Sequence, residues 1–220
     1  MDIHIMKEKQ MNKNLWLKRV RNWCGLLGML LPWLCLFSAG IAEHPAKSWW
    51  YSISATYYQS PALVGVLTSA SIILMCYDGY SRIDNIITTI SGAFGLGIVL
   101  FPCSVSWIDG NVGFFQLPMR YSNKIHCVCA GVFFVLLAIN SIFLFTRTDD
   151  EFSMTSQKKK RNKVYIICGI GMIVFEVIQA VTSMVSFFPG WCTMINEIAL
   201  LQFFGVSWLV KGGAVKSLND

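Results

Sequence analysis

Six runs of apolar residues, at about 24–42, 61–77, 85–105, 125–145, 164–186 and 193–210, limit what this chain can fold into more than any other feature. A helix that crosses a bilayer needs roughly 17–25 such residues, since its backbone polar groups must be satisfied within the segment itself. The second and sixth runs lie near the lower limit. Six crossings take up more than half of the 220 residues and leave no room for a separate soluble domain. Composition agrees, with 55% hydrophobic and 14% charged residues, far from the soluble globular norm. The sequence predicts an all-α polytopic bundle of six transmembrane helices. A basic cytoplasmic or interfacial segment, 1–22, precedes a transmembrane domain, 23–212, and a tail, 213–220, follows it.

Charge sets the expected orientation. Fifteen of the 18 Lys and Arg residues fall on one side of this topology: six in the N-terminal segment, Arg82, six from Arg147 to Lys163, and Lys211 and Lys216. Only Lys47, Arg120 and Lys124 fall on the other. The positive-inside rule then places both termini in the cytoplasm of a cell (plasma or inner) membrane protein. Topology thus accounts for the net charge of +6, and no nucleic-acid partner is needed. The expected partner is the bilayer, with anionic lipid headgroups at the basic segments, and a larger membrane partner or a homo-oligomer beyond it. Gly40-Ile41-Ala42 has the look of a signal-peptide cleavage site, but a 23-residue leader and Pro32 argue against cleavage. Among eight cysteines, Cys24, Cys35, Cys76 and Cys168 read as small apolar thiols. Cys103, Cys127, Cys129 and Cys192 map to the outer side, where an oxidising compartment would allow one bridge.

Three ionisable residues, His126, Glu176 and Glu197, fall within the runs, and no Lys or Arg lies within the two runs that hold the glutamates. A carboxylate in hydrocarbon needs a partner, a proton or water. Glu176, Gln179 and Ser183 share one helix face at i, i+3, i+7, with Thr182 beside it. Counting helical rise from the expected span ends puts Glu176 about 15 Å deep and Glu197 about 6 Å deep, about 9 Å apart, with Thr182 and Ser183 level with Glu197. The expected site is an outward-facing polar pocket between the fifth and sixth helices. It is made of Glu176, Gln179, Thr182, Ser183 and Glu197, with His126 at the rim, and would hold a cation, a proton or a lipid headgroup. The alternative is a set of interhelical hydrogen bonds. In the first external loop, Trp49, Trp50, Tyr51, Tyr57 and Tyr58 form either an interfacial belt or a lid, and Ser54, Tyr57 and Tyr58 are its candidate contact residues. The small-xxx-small pairs Ser91/Gly95 and Ala93/Gly97 mark the third helix as the expected bundle centre.

Enzymatic chemistry finds little support. His44 and His126 are the external histidines, too few for a zinc hydrolase, and His126-x-x-Cys129 is a weak two-ligand pattern. No HExxH, GxSxG, phosphate-loop or dinucleotide motif is present, so no metal, cofactor or catalytic residue is expected. Ser52 or Ser54 with His126 and Asp109 is the one conceivable nucleophile set.

From the first external loop to the fourth span, over about 80 residues, the pattern resembles the DRAM/Frag/Sfk-like family of six-span membrane proteins. The residues that carry the resemblance are Ile53-Ser54-Ala55-Thr56, Ser60-Pro61, Tyr80, Arg82, Asn85, the glycine-rich third span, and His126 with Ala130 and Phe133. The ending FGVSWLVKG is similar to uncharacterised bacterial multi-pass proteins. The resemblance implies six spans with both ends cytoplasmic and no established catalysis, and it assigns the polar residues no role. The expected function is binding, sensing or an accessory role. The alternatives are a proton- or cation-coupled transporter or channel subunit using Glu176 and Glu197, and a membrane-embedded lipid hydrolase.

Overall fold

The computed structural model describes residues 2–41, 51–148, 154–185 and 187–219. Ala42, His44, Lys47, Trp49 and Trp50, which figure in the expectations above, lie outside the described residues. Six α-helices make up the fold: α1 (Asp2–Ile41), α2 (Ala62–Met75), α3 (Arg82–Leu100), α4 (Met119–Ile139), α5 (Ser156–Met184) and α6 (Trp191–Gly212). Between α1 and α2 lies a 3₁₀ turn, Ser54–Tyr58. Between α3 and α4 lies a two-residue antiparallel ladder, Asn111–Val112 with Leu117–Pro118. Five helices are long and apolar enough to cross a membrane. The exception is α2, whose 14 residues span about 21 Å at helical rise, short of a hydrocarbon core of about 30 Å. The apolar run there breaks at Cys76, ahead of the turn through Asp78-Gly79.

Local chemistry sets the helix ends. In α1 the basic segment and the first apolar run form one unbroken helix. At the start of α3, the Ser81 hydroxyl accepts from the Asp84 N–H, and the Asp84 carboxylate accepts from the N–H groups of Tyr80 and Ser81. This is a capping box. It buries Asp84. Helix α5 begins at Ser156, with the Thr155 side chain accepting from the Lys158 N–H, so the Lys158–Arg161 run forms helix and not loop. Long unbranched basic side chains favour a helix once a cap starts it. Beyond α4 the chain widens into a π turn, Asn140–Leu144, closed by the Phe145 N–H on the Asn140 carbonyl at 2.9 Å.

Successive helices run antiparallel. Between α1 and α6 the backbones nearly touch: a Cβ on Gly25 would lie 2.7 Å from the Leu209 nitrogen and 2.8 Å from the Gly205 carbonyl oxygen. Gly92 and Gly95 of α3 likewise admit Ser71 of α2. Yet α3 is not the bundle centre. It packs between α2 and α4, while the largest fully buried side chains are Phe133 of α4, Tyr165 of α5, and Phe204 and Trp208 of α6. Small residues bring backbones together but leave too little side chain to fill a core. Asn22 meets Gly212 and Arg161 bonds the Leu218 carbonyl, so both chain ends lie at one end of the bundle. The 3₁₀ turn and the ladder lie at the other. The eight cysteines are separate thiols. Cys76, at the end of α2, is exposed, unlike Cys24, Cys35 and Cys168.

Candidate functional site

At the end of the bundle away from the termini, Glu197 of α6 meets the backbone turn of Ser52–Ser54. Its Oε2 accepts from the Ser52 hydroxyl at 2.8 Å and the Ile53 N–H at 2.6 Å. Its Oε1 accepts from the Ser54 hydroxyl at 2.5 Å and the Ser54 N–H at 3.4 Å. Hydrogen bonds to an ionised acceptor are the strong ones, and four of them saturate this carboxylate. They draw the 3₁₀ turn into the bundle, with Ile53, Ala55 and Thr56 buried. The turn is pinned at its far end by Tyr58, whose hydroxyl donates to the Cys103 carbonyl at 2.7 Å. Burial pushes the Tyr58 phenol up, so it keeps that proton.

Beneath the turn lies a cavity of about 270 Å³. It is lined by Ser54, His126, Glu176, Gln179, Ser183 and Glu197, and walled by apolar side chains that include Leu63, Leu67, Phe133 and Phe134. All six helices contribute, so the cavity is wider than a pocket between α5 and α6 alone. Glu176 points at α4, where a Cβ on Gly131 would come within 3.3 Å of its Oε1. Among the described residues, no hydrogen bond or ion pair involves Glu176.

Several site residues sit differently from the sequence expectation. Glu176 lies eight residues from the end of α5 and Glu197 six from the start of α6, so their depths differ by about 3 Å and not 9 Å. The reason is that α5 stops at Met184 and α6 starts at Trp191, each two residues earlier than the apolar runs suggest. The register is held by the Asn196 amide donating to Gln179 Oε1 at 3.1 Å. Thr182 does not line the cavity. Its hydroxyl donates to the Gln179 carbonyl and accepts from Asn196 at 3.5 Å, part of the α5–α6 seam. Tyr57 and Tyr58 also stay off the cavity, packed edge to face against each other at 5.0 Å. His126 is buried and not at a rim. Its Nδ1 lies 2.9 Å from the Phe101 carbonyl oxygen and 3.2 Å from that of Ile98, so Nδ1 carries a proton and Nε2 is the ring's remaining polar atom.

Two residues essential to this geometry escaped the sequence reading in these roles. Asn196 is a buried amide inside an apolar run, and that anomaly marks it. Ser52 carries no such signal, because its partner lies 145 positions away. The nucleophile set is not assembled: Ser52 and Ser54 are committed to Glu197, and Asp109 is exposed. Cys129 presses its sulfur against Gly97, and no group of three His, Cys, Asp or Glu residues suited to a metal occurs among the described residues. No family model, curated protein or solved structure matches this chain.

Proposed function

We propose that this is a membrane-embedded binding protein whose cavity takes a small amphipathic molecule, with a cationic head on Glu176 and an apolar body against Leu63, Leu67, Phe133 and Phe134. One observation carries the reading: of two carboxylates on one cavity, Glu197 is saturated by the Ser52–Ser54 turn, and Glu176 has no protein partner among the described residues. Glu176 is half-buried, and an acid among apolar membrane helices without a partner is costly unless something occupies its lone pairs. A volume of about 270 Å³ falls at the small end of ligand pockets and suits a single short chain. A carrier relaying protons through both acids fits less well, because Glu197 would have to give up four donors to exchange one. In this reading the chain crosses the cell membrane six times, as the resembled family does, with its basic end in the cytoplasm.

The test uses octylamine as ligand and octanol as control, with thermal unfolding of the full chain in neutral detergent. Octylamine should raise the unfolding temperature in a saturable way. A hundredfold excess over the dissociation constant corresponds to roughly 2.7 kcal/mol. Glu176→Gln should abolish the rise, and octanol should give little. An equal response to both alcohol and amine, or one unaffected by Glu176→Gln, would refute the reading.

A further inference from the structure

We propose that a second cavity, at the end of the bundle that carries both termini, binds an anion bearing phosphate with two or more negative charges. It is separate from the cavity above and does not depend on that reading. Its volume is about 980 Å³, and it lies among the middle of α1, the α2–α3 turn, the stretch from the π turn to Thr148, the start of α5 and the end of α6. Lys18, Arg21, Arg147 and Lys211 line it, together with Lys158 and Arg161, which have partners of their own. Among the described residues, the acid on its wall is Asp84, whose Oδ2 already caps α3.

Two of the cations are built into the fold without a counter-charge. Arg21 is only 3% exposed. Its Nε donates to the Tyr77 hydroxyl at 2.9 Å, and its guanidinium lies 5.5 Å and 5.0 Å from the ring centres of Tyr77 and Tyr80. Its Nη2 has no partner, and the residue lines the cavity. Lys211 lies over the rings of Tyr80, Phe145 and Tyr165 at 5.6, 5.1 and 5.7 Å. The π turn leaves the Phe145 carbonyl pointing out of α4, where it accepts from Lys211 and from Lys158, each at 3.1 Å. Rings and a carbonyl orient these cations but do not cancel their charge. A buried guanidinium with an idle N–H requires an acceptor, and charge-assisted bonds to phosphate oxygens are the strongest it can make.

Positive-inside topology accounts for cations at this end of the bundle, but not for their convergence. Lys159, Lys160 and Lys163 on the same helix are exposed and face away from the cavity. Topology needs only such residues. Arg21, buried to 3%, adds nothing to a surface charge, and yet it lines the cavity. Lys18, Arg21, Arg147 and Lys211, together with the volume, exceed what one carboxylate would use, which selects a multiply charged phosphate. A phosphorylated lipid headgroup and a soluble polyphosphate share this chemistry.

Two arms test the proposal on the full chain and separate the sources. Inorganic pyrophosphate is titrated calorimetrically into protein in phosphate-free neutral detergent. In parallel, native mass spectrometry counts lipids retained from phosphatidylcholine nanodiscs doped with phosphatidic acid or, at equal charge, phosphatidylserine. Saturable one-site binding of pyrophosphate identifies a soluble ligand. Retention of phosphatidic acid over phosphatidylserine without pyrophosphate binding identifies a lipid. In the responding arm, Arg21→Gln should weaken binding about tenfold or more, the weight of one charge-assisted bond. Arg21 also holds Tyr77, so Arg147→Gln serves as the second variant. Arg147 is exposed and bonds only Ser81, at 3.4 Å, and its loss should weaken binding severalfold with folding intact. The double variant Lys159→Gln/Lys160→Gln should change affinity less than about twofold, since exposed charges act through screened solvent. No saturable binding in either arm, or an equal loss in the Lys159/Lys160 variant, overturns the proposal.

Discussion

At one end of the bundle Glu197 accepts four hydrogen bonds from Ser52, Ile53 and Ser54, while at the other Arg21 and Lys211 are held by Tyr77, Tyr80, Tyr165 and the Phe145 carbonyl. Both ends keep a charge inside the protein using dipoles and rings in place of an opposite charge. They differ in what remains afterwards. The carboxylate has no free lone pair for a ligand, so its role is to anchor a turn. The guanidinium retains an N–H without an acceptor among the described residues. Saturation of the charge separates a structural anchor from a binding group, and the comparison can be broken at either end.

The largest effect is expected at the anchor. Glu197→Ala leaves the hydroxyls of Ser52 and Ser54 and the N–H groups of Ile53 and Ser54 without an acceptor. Each stranded buried donor costs about 1–3 kcal/mol, so a loss of roughly 3–5 kcal/mol is expected after relaxation. Glu197→Gln keeps the shape but turns an N–H₂ toward donors, and should fall about midway. Hydrogen exchange should show residues 52–58 deprotected while the α1–α6 seam stays protected, together with a lower unfolding temperature. Protection of 52–58 unchanged in Glu197→Ala would mean that the turn docks by apolar contact through Ile53, and the anchor reading would fail.

An intermediate effect should separate the two ends directly. Gly212 lies beside Lys211 and faces Asn22, the neighbour of Arg21. A Cβ there would meet the Asn22 side chain and lie 3.0 Å from the Asn22 nitrogen. Gly212→Ala should therefore push α1 off α6 at the basic end only. Overpacking of this kind costs about 1–3 kcal/mol. The pyrophosphate or phosphatidic acid response should weaken with it, while the octylamine response at the far cavity stays unchanged. Gly65→Ala, with nothing within 4 Å of the added Cβ, is the control and should be neutral or stabilise by up to about 1 kcal/mol. Equal damage to both responses would show the two ends to be one cooperative unit.

The helices were legible because length and apolarity alone decide membrane-spanning segments, and five of six reach that length. Their ends were less so. The Lys158–Arg161 run reads as a polar loop until the Thr155 cap is seen to start a helix beneath it. The depth of Glu176 against Glu197 turned on where α5 and α6 stop, and a shift of two residues at each end brought the acids level. The clasp of Ser52–Ser54 on Glu197 joins residues 143 to 145 positions apart, and no local pattern encodes such a pair. Every cation of the basic cavity is visible in the sequence, where topology explains each one singly. Their meeting joins residues from α1 to α6, and no local pattern encodes it.

The smallest effect belongs to a charge pair of the ordinary kind. Lys13 Nζ lies 2.8 Å from Asp78 Oδ2, with the two side chains 50% and 51% exposed. The Lys13 ammonium, and then the Asn85 amide, hold the Asp78 carboxyl below its usual 3.8. Because the folded value is the lower one, the stabilisation is complete above the unfolded value and is lost as pH falls through the folded one. Solvent screening keeps it under about 1 kcal/mol, and added salt should shrink it further. Unfolding temperatures of wild type and Asp78→Asn, compared from near neutral to about pH 3, should differ slightly at the upper end and converge at the lower. If Asp78→Asn instead matched Glu197→Ala in size, an exposed ion pair would be holding α1 to the α2–α3 turn, and the weight assigned to buried dipoles and rings would have to move to it.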